Sequence, residues 1–240
     1  MSAVLVPAGS LAVGSRIRLP ADEAHHLRVR RVAPGQRVRL LDGAGVVGLG
    51  TAHEEDDGWA VSVESLATVP PPDELIVAAG AGDRERFAWL VEKATELGAT
   101  RIIPVETERS MSVSGRVRPE HLERLQRRSL EALKQSGGAW APRVAPPTSL
   151  EDAIEAGRDC TRWLASASDE HVPESFTRGP LAVLVGPEGG FTAPERDRAL
   201  HAGWQPVRLA PAMLRFETAA LAALALAAAA RVRVGTVEES

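Results

Sequence analysis

Arg215 and Glu217 stand two residues apart in the segment Arg208-Leu209-Ala210-Pro211-Ala212-Met213-Leu214-Arg215-Phe216-Glu217-Thr218-Ala219, which reads as a strand, a proline-containing loop and a helix start. At such a junction a helix can fix both side chains while they face the strand ends. The same pair could equally be a surface ion pair contributing ~0–1 kcal/mol. A second junction of this kind lies upstream, where the apolar run Leu181–Val185 stops at Gly186-Pro187-Glu188-Gly189-Gly190 and Phe191 and a helix follows. Thr192 and Glu195 have capping-box spacing, and Pro194 sits in the first turn, where its missing N–H costs nothing. Glycines at the carboxyl end of a buried strand let a ligand approach the backbone closely. A tight turn without a ligand is the alternative. The pattern is neither G-x-G-x-x-G nor G-x-x-x-x-G-K-[ST], so neither dinucleotide nor nucleoside triphosphate binding has a fingerprint here. Two such loops in one C-terminal region, both at strand ends, would converge on one site.

The elements that must position these loops can be read from periodicity. Residues 1–69 carry short apolar stretches at Arg16–Leu19, Arg37–Leu41, Val46–Thr51 and Trp59–Leu66, separated by the turn signals Asp42-Gly43 and 54–58, as a small β-barrel would. Pro70-Pro71-Pro72 marks a stiff connector and the domain boundary. From residue 73 to 240 strands and helices alternate. A strand at Leu75–Ala79 is followed by a helix capped by Asp83, with Phe87, Leu90, Val91, Ala94 and Leu97 on one face. A strand at Arg101–Val105 precedes a helix opened by Pro119 and closed by Gly137-Gly138. A short helix near Leu150–Ala156, strands at Arg162–Ala165, Leu181–Val185 and Pro206–Leu209, and an alanine-rich helix after Glu217 complete an α/β chain with a mostly parallel sheet.

Among 240 residues, 28 basic and 32 acidic side chains leave a net charge of −4, and 44% hydrophobic with 25% charged residues is globular composition. The single cysteine, Cys160, excludes an internal disulfide and a cysteine-rich metal site, and reads as a buried apolar filler. His25 and His26 lack a third ligand nearby, so no metal is expected. No signal peptide is apparent. The longest apolar run, Ala219–Ala230, is too short and too rich in alanine for a bilayer span, so a cytoplasmic protein is expected. Basic residues cluster despite the acidic balance. Arg28, Arg30, Arg31, Arg37 and Arg39 form one group, and Arg109, Arg116, Arg118, Arg124, Arg127 and Arg128 another. Such patches can meet phosphate, although 26 of the 28 basic residues are arginine and would cluster somewhere by chance.

Gly186-Pro-Glu-Gly-Gly190 followed by Met213-Leu-Arg-Phe-Glu-Thr-Ala219 resembles the small-subunit ribosomal RNA uridine-N3 methyltransferases (RsmE-like) of the SPOUT superfamily. Further agreement, in order along the chain, comes from His26-Leu-Arg-Val-Arg30, Asp42-Gly43, Glu92-Lys-Ala-Thr-Glu-Leu-Gly98, Glu108-Arg-Ser110 and Glu131-Ala-Leu-Lys-Gln-Ser136. The resemblance implies a PUA-like β-barrel RNA-binding domain over 1–69 and, over 73–240, an α/β methyltransferase domain closed by a deep trefoil knot. It implies S-adenosylmethionine as cofactor, small-subunit ribosomal RNA as substrate and a homodimer as the active form. The chain departs from the family pattern at Gly138, where arginine is usual, at Phe216 (threonine), at Ala210 (glycine), and at Gly80–Gly82, which lacks a lysine often found there.

The resemblance also distributes roles. Adenosine falls among Leu209, Met213 and Leu214, with Pro211 in the same loop, while Gly186, Pro187, Glu188, Gly189, Gly190 and the strand end near Leu164 close the pocket. On chemical grounds Arg215 and Glu217 are the catalytic candidates: the arginine would donate to negative charge on the uracil oxygens, and the glutamate would orient it or accept the proton, the first being favoured because a carboxylate beside arginine is a poor proton acceptor. Arg28, Arg30, Arg31, Arg109 and Gln135 are the RNA-contact candidates. Lys93 and Glu96 fall near the cleft on the family pattern, or form a plain surface pair. A non-catalytic RNA-binding module for ribosome assembly, on the same fold, is the competing expectation.

Overall fold

The structure, a computed structural model, describes residues 1–80, 82–110, 119–167 and 179–232. Its strands are β1 (Ala3–Leu5), β2 (Arg16–Arg18), β3 (Arg37–Leu41), β4 (Val46–Glu55), β5 (Gly58–Thr68), β6 (Leu75–Gly80), β7 (Arg101–Glu106), β8 (Arg143–Val144), β9 (Thr148–Ser149), β10 (Thr161–Ala165), β11 (Leu181–Val185) and β12 (Gln205–Val207). The helices are α1 (Ala21–Val29), α2 (Arg84–Glu96), α3 (Pro119–Ser136), α4 (Leu150–Ala156), α5 (Ala193–His201) and α6 (Phe216–Val232). They fall into two compact units, Met1–Pro72 with Leu130–Ala141, and Asp73–Ser129 with Pro142–Ser240. Helix α3 is therefore divided between them, a division invisible to periodicity because the helix is continuous.

In the first unit the sheet order is β1-β3-β4-β5-β2, with β1 parallel to β3 and the other pairs antiparallel. The core gathers Val4, Leu27, Val38, Leu40, Trp59, Val61 and Val63. Two elements here escape the sequence reading. Strand β1 has three residues, and α1 buries only Glu23, Ala24 and Leu27, too little apolar surface to show a helical stripe. After α3, the indole N–H of Trp140 donates to the carbonyls of Val69 (3.0 Å) and Pro70 (3.1 Å), tying the start of the proline connector to this unit.

The second unit holds a parallel sheet in the order β12-β10-β11-β6-β7-β8, with β9 also on β7. Every residue of β6 and β11 is buried because both faces are covered. Period-2 alternation sends Leu75, Val77, Leu181 and Val183 to one face, under α2 and α6, and Ile76, Ala78, Ala182 and Leu184 to the other, under α4 and α5. Asp83 caps α2 by accepting from the Arg86 amide at 2.9 Å, and the capping box of Thr192 and Glu195 starts α5. The strand expected at Pro206–Leu209 is observed at Gln205–Val207. The chain turns at Arg208, whose guanidinium donates to the carbonyls of Ala210 (3.2 Å) and Pro211 (2.7 Å). Cys160 is buried in the second core, and burial, followed by the nearby Glu74 carboxylate, holds its thiol above the usual range. Among the described residues no helix is long and apolar enough to cross a membrane.

Candidate functional site

The carboxyl ends of β10, β11 and β12 open on a single cavity of ≈ 450 Å³. Crevices outside the carboxyl ends of parallel strands are where open α/β sheets hold ligands, and the volume falls within the ~300–1,000 Å³ of small-molecule sites. Its wall comes from the end of β10 and the residues after it (Ala165, Ser166, Ala167), the glycine loop from Val185 to Phe191, and Leu209, Ala210, residues 212–216 and Ala219; Glu217 is not part of it. The two strand-to-helix loops singled out in the sequence do converge. Apolar side chains of Val185, Leu209, Leu214 and Phe216 suit a flat ring, and Glu188 and Arg215 are the charged residues among the lining. One carboxylate and one guanidinium do not suit a polyphosphate. They suit a ligand with a cationic and an anionic end.

Close packing shapes the glycine loop. A Cβ on Gly80, the last residue of β6, would lie 2.6 Å from Pro187 Cδ and 2.7 Å from Pro187 N, so the loop passes directly over the strand end. That approach leaves no room for a side chain where the sequence departs from the family at Gly80. Gly190 closes a turn by donating its amide to the Pro187 carbonyl (2.7 Å) at φ +69°, a left-handed conformation open to glycine. From outside the cavity, Arg109 donates to the carbonyl of Gly189 and, at 3.5 Å, to that of Phe191. The Glu195 carboxylate, 2% exposed, accepts from the amides of Glu108 and Thr192, both at 2.8 Å, and from the Thr192 hydroxyl at 3.1 Å.

Of the residues singled out for the cofactor, Gly186, Pro187, Glu188, Gly189, Gly190, Leu209, Met213 and Leu214 line the cavity. Leu164 and Pro211 do not. Leu164 is 1% exposed and points into the core beneath α4 and α5, so the strand end presents Ala165 instead. Ser166, Phe191 and Phe216 line it without having been singled out. Phe216, one of the departures from the family, is a core residue as well as a wall of the cavity. Arg215 is exposed at the cavity, and its guanidinium has no partner among the described residues. Glu217 is 6% exposed, and its Oε2 is buried without a hydrogen-bond partner. No bond joins the two in this structure. Lys93 and Glu96 (2.7 Å) belong to an ion-pair cluster with Glu92 and Arg128 and do not line the cavity.

The RNA-contact candidates divide. Arg30, Arg31 and Gln135 line one cleft of ≈ 740 Å³ in the first unit, together with His26, Arg37, Glu131 and Lys134, and Arg30 donates to Gln135 Oε1 at 3.3 Å. Arg28, exposed on α1, does not line it, and Arg109 lies in the other unit on the glycine loop. Arg116 and Arg118 lie outside the described residues. In the wall of this cleft the Lys134 ammonium meets Glu23 and Glu131, each at 2.7 Å, with the side chains of Lys134 and Glu23 both 5% exposed. Burial works to lower the Lys134 pKa, but the bonds to Glu131 and Glu23 outweigh it and leave it raised. Burial and then the neighbouring ammonium push His26 below its ordinary 6.5, against the pull of Glu23 and Glu131. Gly138, another departure, sits where a Cβ would meet the Cδ1 of buried Leu133 at 2.7 Å.

Two family models match the chain. A family described as RNA methyltransferase domain matches residues 69–228, and one described as RNA methyltransferase PUA domain matches 19–51. The chain is 32% identical over 235 residues to ribosomal RNA small subunit methyltransferase E of Synechocystis sp., covering 92% of this chain and 75% of the relative. The crystal structure of ribosomal RNA small subunit methyltransferase E from Neisseria gonorrhoeae bound to S-adenosyl methionine superposes with a TM-score of 0.84 at 29% identity, covering 94% of this chain and 95% of that one. That of a probable rRNA-methyltransferase from Porphyromonas gingivalis gives 0.81 at 29% identity, covering 98% and 100%.

Proposed function

The chain belongs to the ribosomal RNA small subunit methyltransferase E family, an α/β methyltransferase preceded by a small PUA-like domain, and from that premise we propose that it methylates N3 of a uridine in 16S ribosomal RNA with S-adenosylmethionine as donor. The observation that carries this reading is the convergence of the glycine loop and the 209–219 segment on one cavity with Arg215 at its wall. Val185, Leu209, Leu214 and Phe216 would hold the adenine, and Glu188 offers a carboxylate to the cationic end. When bound, S-adenosylmethionine supplies a methyl group activated on a positively charged sulfur.

The protein's own task is alignment, exclusion of water and management of the charge left on the uracil when N3 gives up its proton to solvent before the methyl group is transferred. That charge spreads to the flanking uracil oxygens. Arg215, which spends none of its donors on described protein groups, is the residue we assign to meet it. Glu217 Oε2 is a buried acceptor that can receive a guanidinium N–H or a proton. We assign it the first role, as the acceptor that orients Arg215 when substrate is bound.

The same reading gives the cleft formed by Arg30, Arg31, Arg37 and Gln135 to RNA phosphates, with Arg28 beside it on α1. It places the protein in the cytoplasm as a homodimer without a metal. It also includes the trefoil knot of the family. Supporting the knot, β10 lies between β12 and β11, and after β12 the chain returns across the strand ends so that α6 packs on β11 and β6. The test is transfer of a tritiated methyl group from labelled S-adenosylmethionine to small subunits lacking the modification, followed by mapping of the labelled base. Incorporation at uridine N3 is expected. Cofactor binding without incorporation, or no cofactor binding at all, would leave an assembly module that binds RNA.

A further inference from the structure

We propose that Arg109, together with Glu195, is a positioning residue for the cofactor: the two latch the turn at residues 107–110 onto the glycine loop and hold that loop in its binding shape before the ligand arrives. The inference rests on the reading that the ≈ 450 Å³ cavity is the cofactor site. Neither residue lines that cavity, so neither acts on the ligand directly. Their effect passes through Gly189, Phe191 and Thr192.

The latch has two bolts and a rigid base. The base is the turn after β7. The Thr107 amide donates to Ser110 Oγ at 3.0 Å, the two hydroxyls lie 2.9 Å apart, and the Ser110 amide donates to the Thr107 carbonyl at 3.0 Å. Thr107 and Ser110 are 3% and 1% exposed, so this turn is fixed in the protein interior. The first bolt is the Arg109 guanidinium on the carbonyls of Gly189 and Phe191. Its side chain lies flat on the loop, since a Cβ added to Gly189 would stand 3.1 Å from Arg109 Cδ. The second bolt is Glu195, which spends one carboxylate oxygen on the Glu108 amide and the other on the Thr192 amide and hydroxyl.

A loop with glycine at 186, 189 and 190 loses much conformational freedom when it orders. If ordering waited for the ligand, its cost would be subtracted from affinity. A loop already held carries no such deduction. Charge-assisted bonds from Arg109 to carbonyls that no helix or strand satisfies are suited to this. The assignment replaces the direct RNA contact expected of Arg109 from the sequence.

The experiment measures S-adenosylmethionine binding by calorimetry, hydrogen exchange of residues 186–191, and RNA affinity across a salt series. The proteins are the full chain and its Arg109→Ala, Arg109→Lys, Gly189→Ala and Arg109→Ala/Gly189→Ala variants. Arg109→Ala is expected to weaken cofactor binding roughly tenfold, the loss of one charge-assisted hydrogen bond. It should raise KM for the cofactor while kcat at saturation is retained, and speed exchange in 186–191. Arg109→Lys should recover part of the affinity. Gly189→Ala, whose Cβ would crowd Arg109 Cδ at 3.1 Å without touching its charge, should weaken binding in the same direction but less than Arg109→Ala, and the double variant should be no weaker than the sum of the two. Unchanged cofactor affinity and exchange in Arg109→Ala, with weaker RNA binding and a shallower salt dependence, would overturn the latch and make Arg109 a phosphate contact. Should the unaltered chain bind no S-adenosylmethionine, the cofactor reading fails by itself. The exchange of 186–191 then still decides whether Arg109 holds the loop.

Discussion

Replacing Lys134 with methionine should destabilise the first unit far more than an ordinary surface substitution. Methionine keeps the length and the methylenes and removes the ammonium. In the native protein Lys134 Nζ lies 2.7 Å from Glu23 Oε1, both side chains are 5% exposed, and Glu23 Oε2 already has no hydrogen-bond partner. Without the ammonium, the Glu23 carboxylate loses the bond on its other oxygen while staying buried. Breaking a buried pair from one side costs about 3–5 kcal/mol. The companion pair with Glu131, whose side chain is 56% exposed, contributes at most about 1 kcal/mol to that sum. For a unit of this size each kcal/mol moves the melting point by about 4–8 °C, so a fall of at least about 12 °C is expected. Hydrogen exchange of α1 and β3–β5 during urea titration reads this unit separately from the other. Converting Glu23 to leucine in the same protein should restore stability to within about 1 kcal/mol, because the pair is then replaced rather than orphaned. The reasoning fails if Lys134→Met stays within about 1 kcal/mol of the native protein, or if the double variant is as unstable as the single one.

Arg215→Ala should leave S-adenosylmethionine affinity unchanged and lower single-turnover methylation by about 10²–10³-fold, the effect of removing one donor from an oxyanion-type site. An unaltered rate would remove Arg215 from the chemistry. Because His26 titrates below its ordinary 6.5 in the folded chain, the unfolded chain binds more protons between the folded value and 6.5. Stability of the first unit therefore rises with pH through that window and is lost as pH falls through it. Urea midpoints for this unit should show the loss in the native protein and not in His26→Asn. Replacing Arg30 or Arg31 with alanine should weaken RNA binding and flatten its salt dependence by about one unit of slope each, if each meets a phosphate. Gly80→Ala should shift the glycine loop through its clash with Pro187, lowering cofactor affinity more than overall stability, as melting and calorimetry together would show.

What the sequence displays well is local. The uninterrupted Leu181–Val185 run, the Thr192 and Glu195 spacing and the Asp83 cap each specify an element through residues within a few positions of one another, and each is observed. The convergence of two strand-to-helix loops is legible because both follow strands of one parallel sheet. Long-range relations are not. Arg109 and Gly189 are 80 residues apart, and nothing near either announces that an exposed arginine braces a distant carbonyl. Lys134 and Glu23 are 111 apart, and a single lysine in a helix gives no sign of being buried. The strand end expected near Leu164 meets the cavity one residue on, at Ala165, and in a strand one residue is the opposite face: the Leu164 side chain lies in the core. Arg208 falls inside the strand expected at Pro206–Leu209, whereas the strand ends at Val207 and the Arg208 guanidinium turns back onto two carbonyls of its own loop.

The helix from Pro119 to Ser136 has a bearing on how this protein can be cut. A fragment ending at Pro72 would leave behind the lysine that satisfies Glu23 and the indole beside Gly45, while a fragment beginning at Asp73 would carry Leu133 and Ala132 with nothing to cover them. The proline connector looks like a natural scissor point, yet the backbone passes between the two halves three times, at 72/73, 129/130 and 141/142. Severing the first crossing alone should release neither half as an autonomous piece. Expressed together, the fragments should behave as a complementing pair.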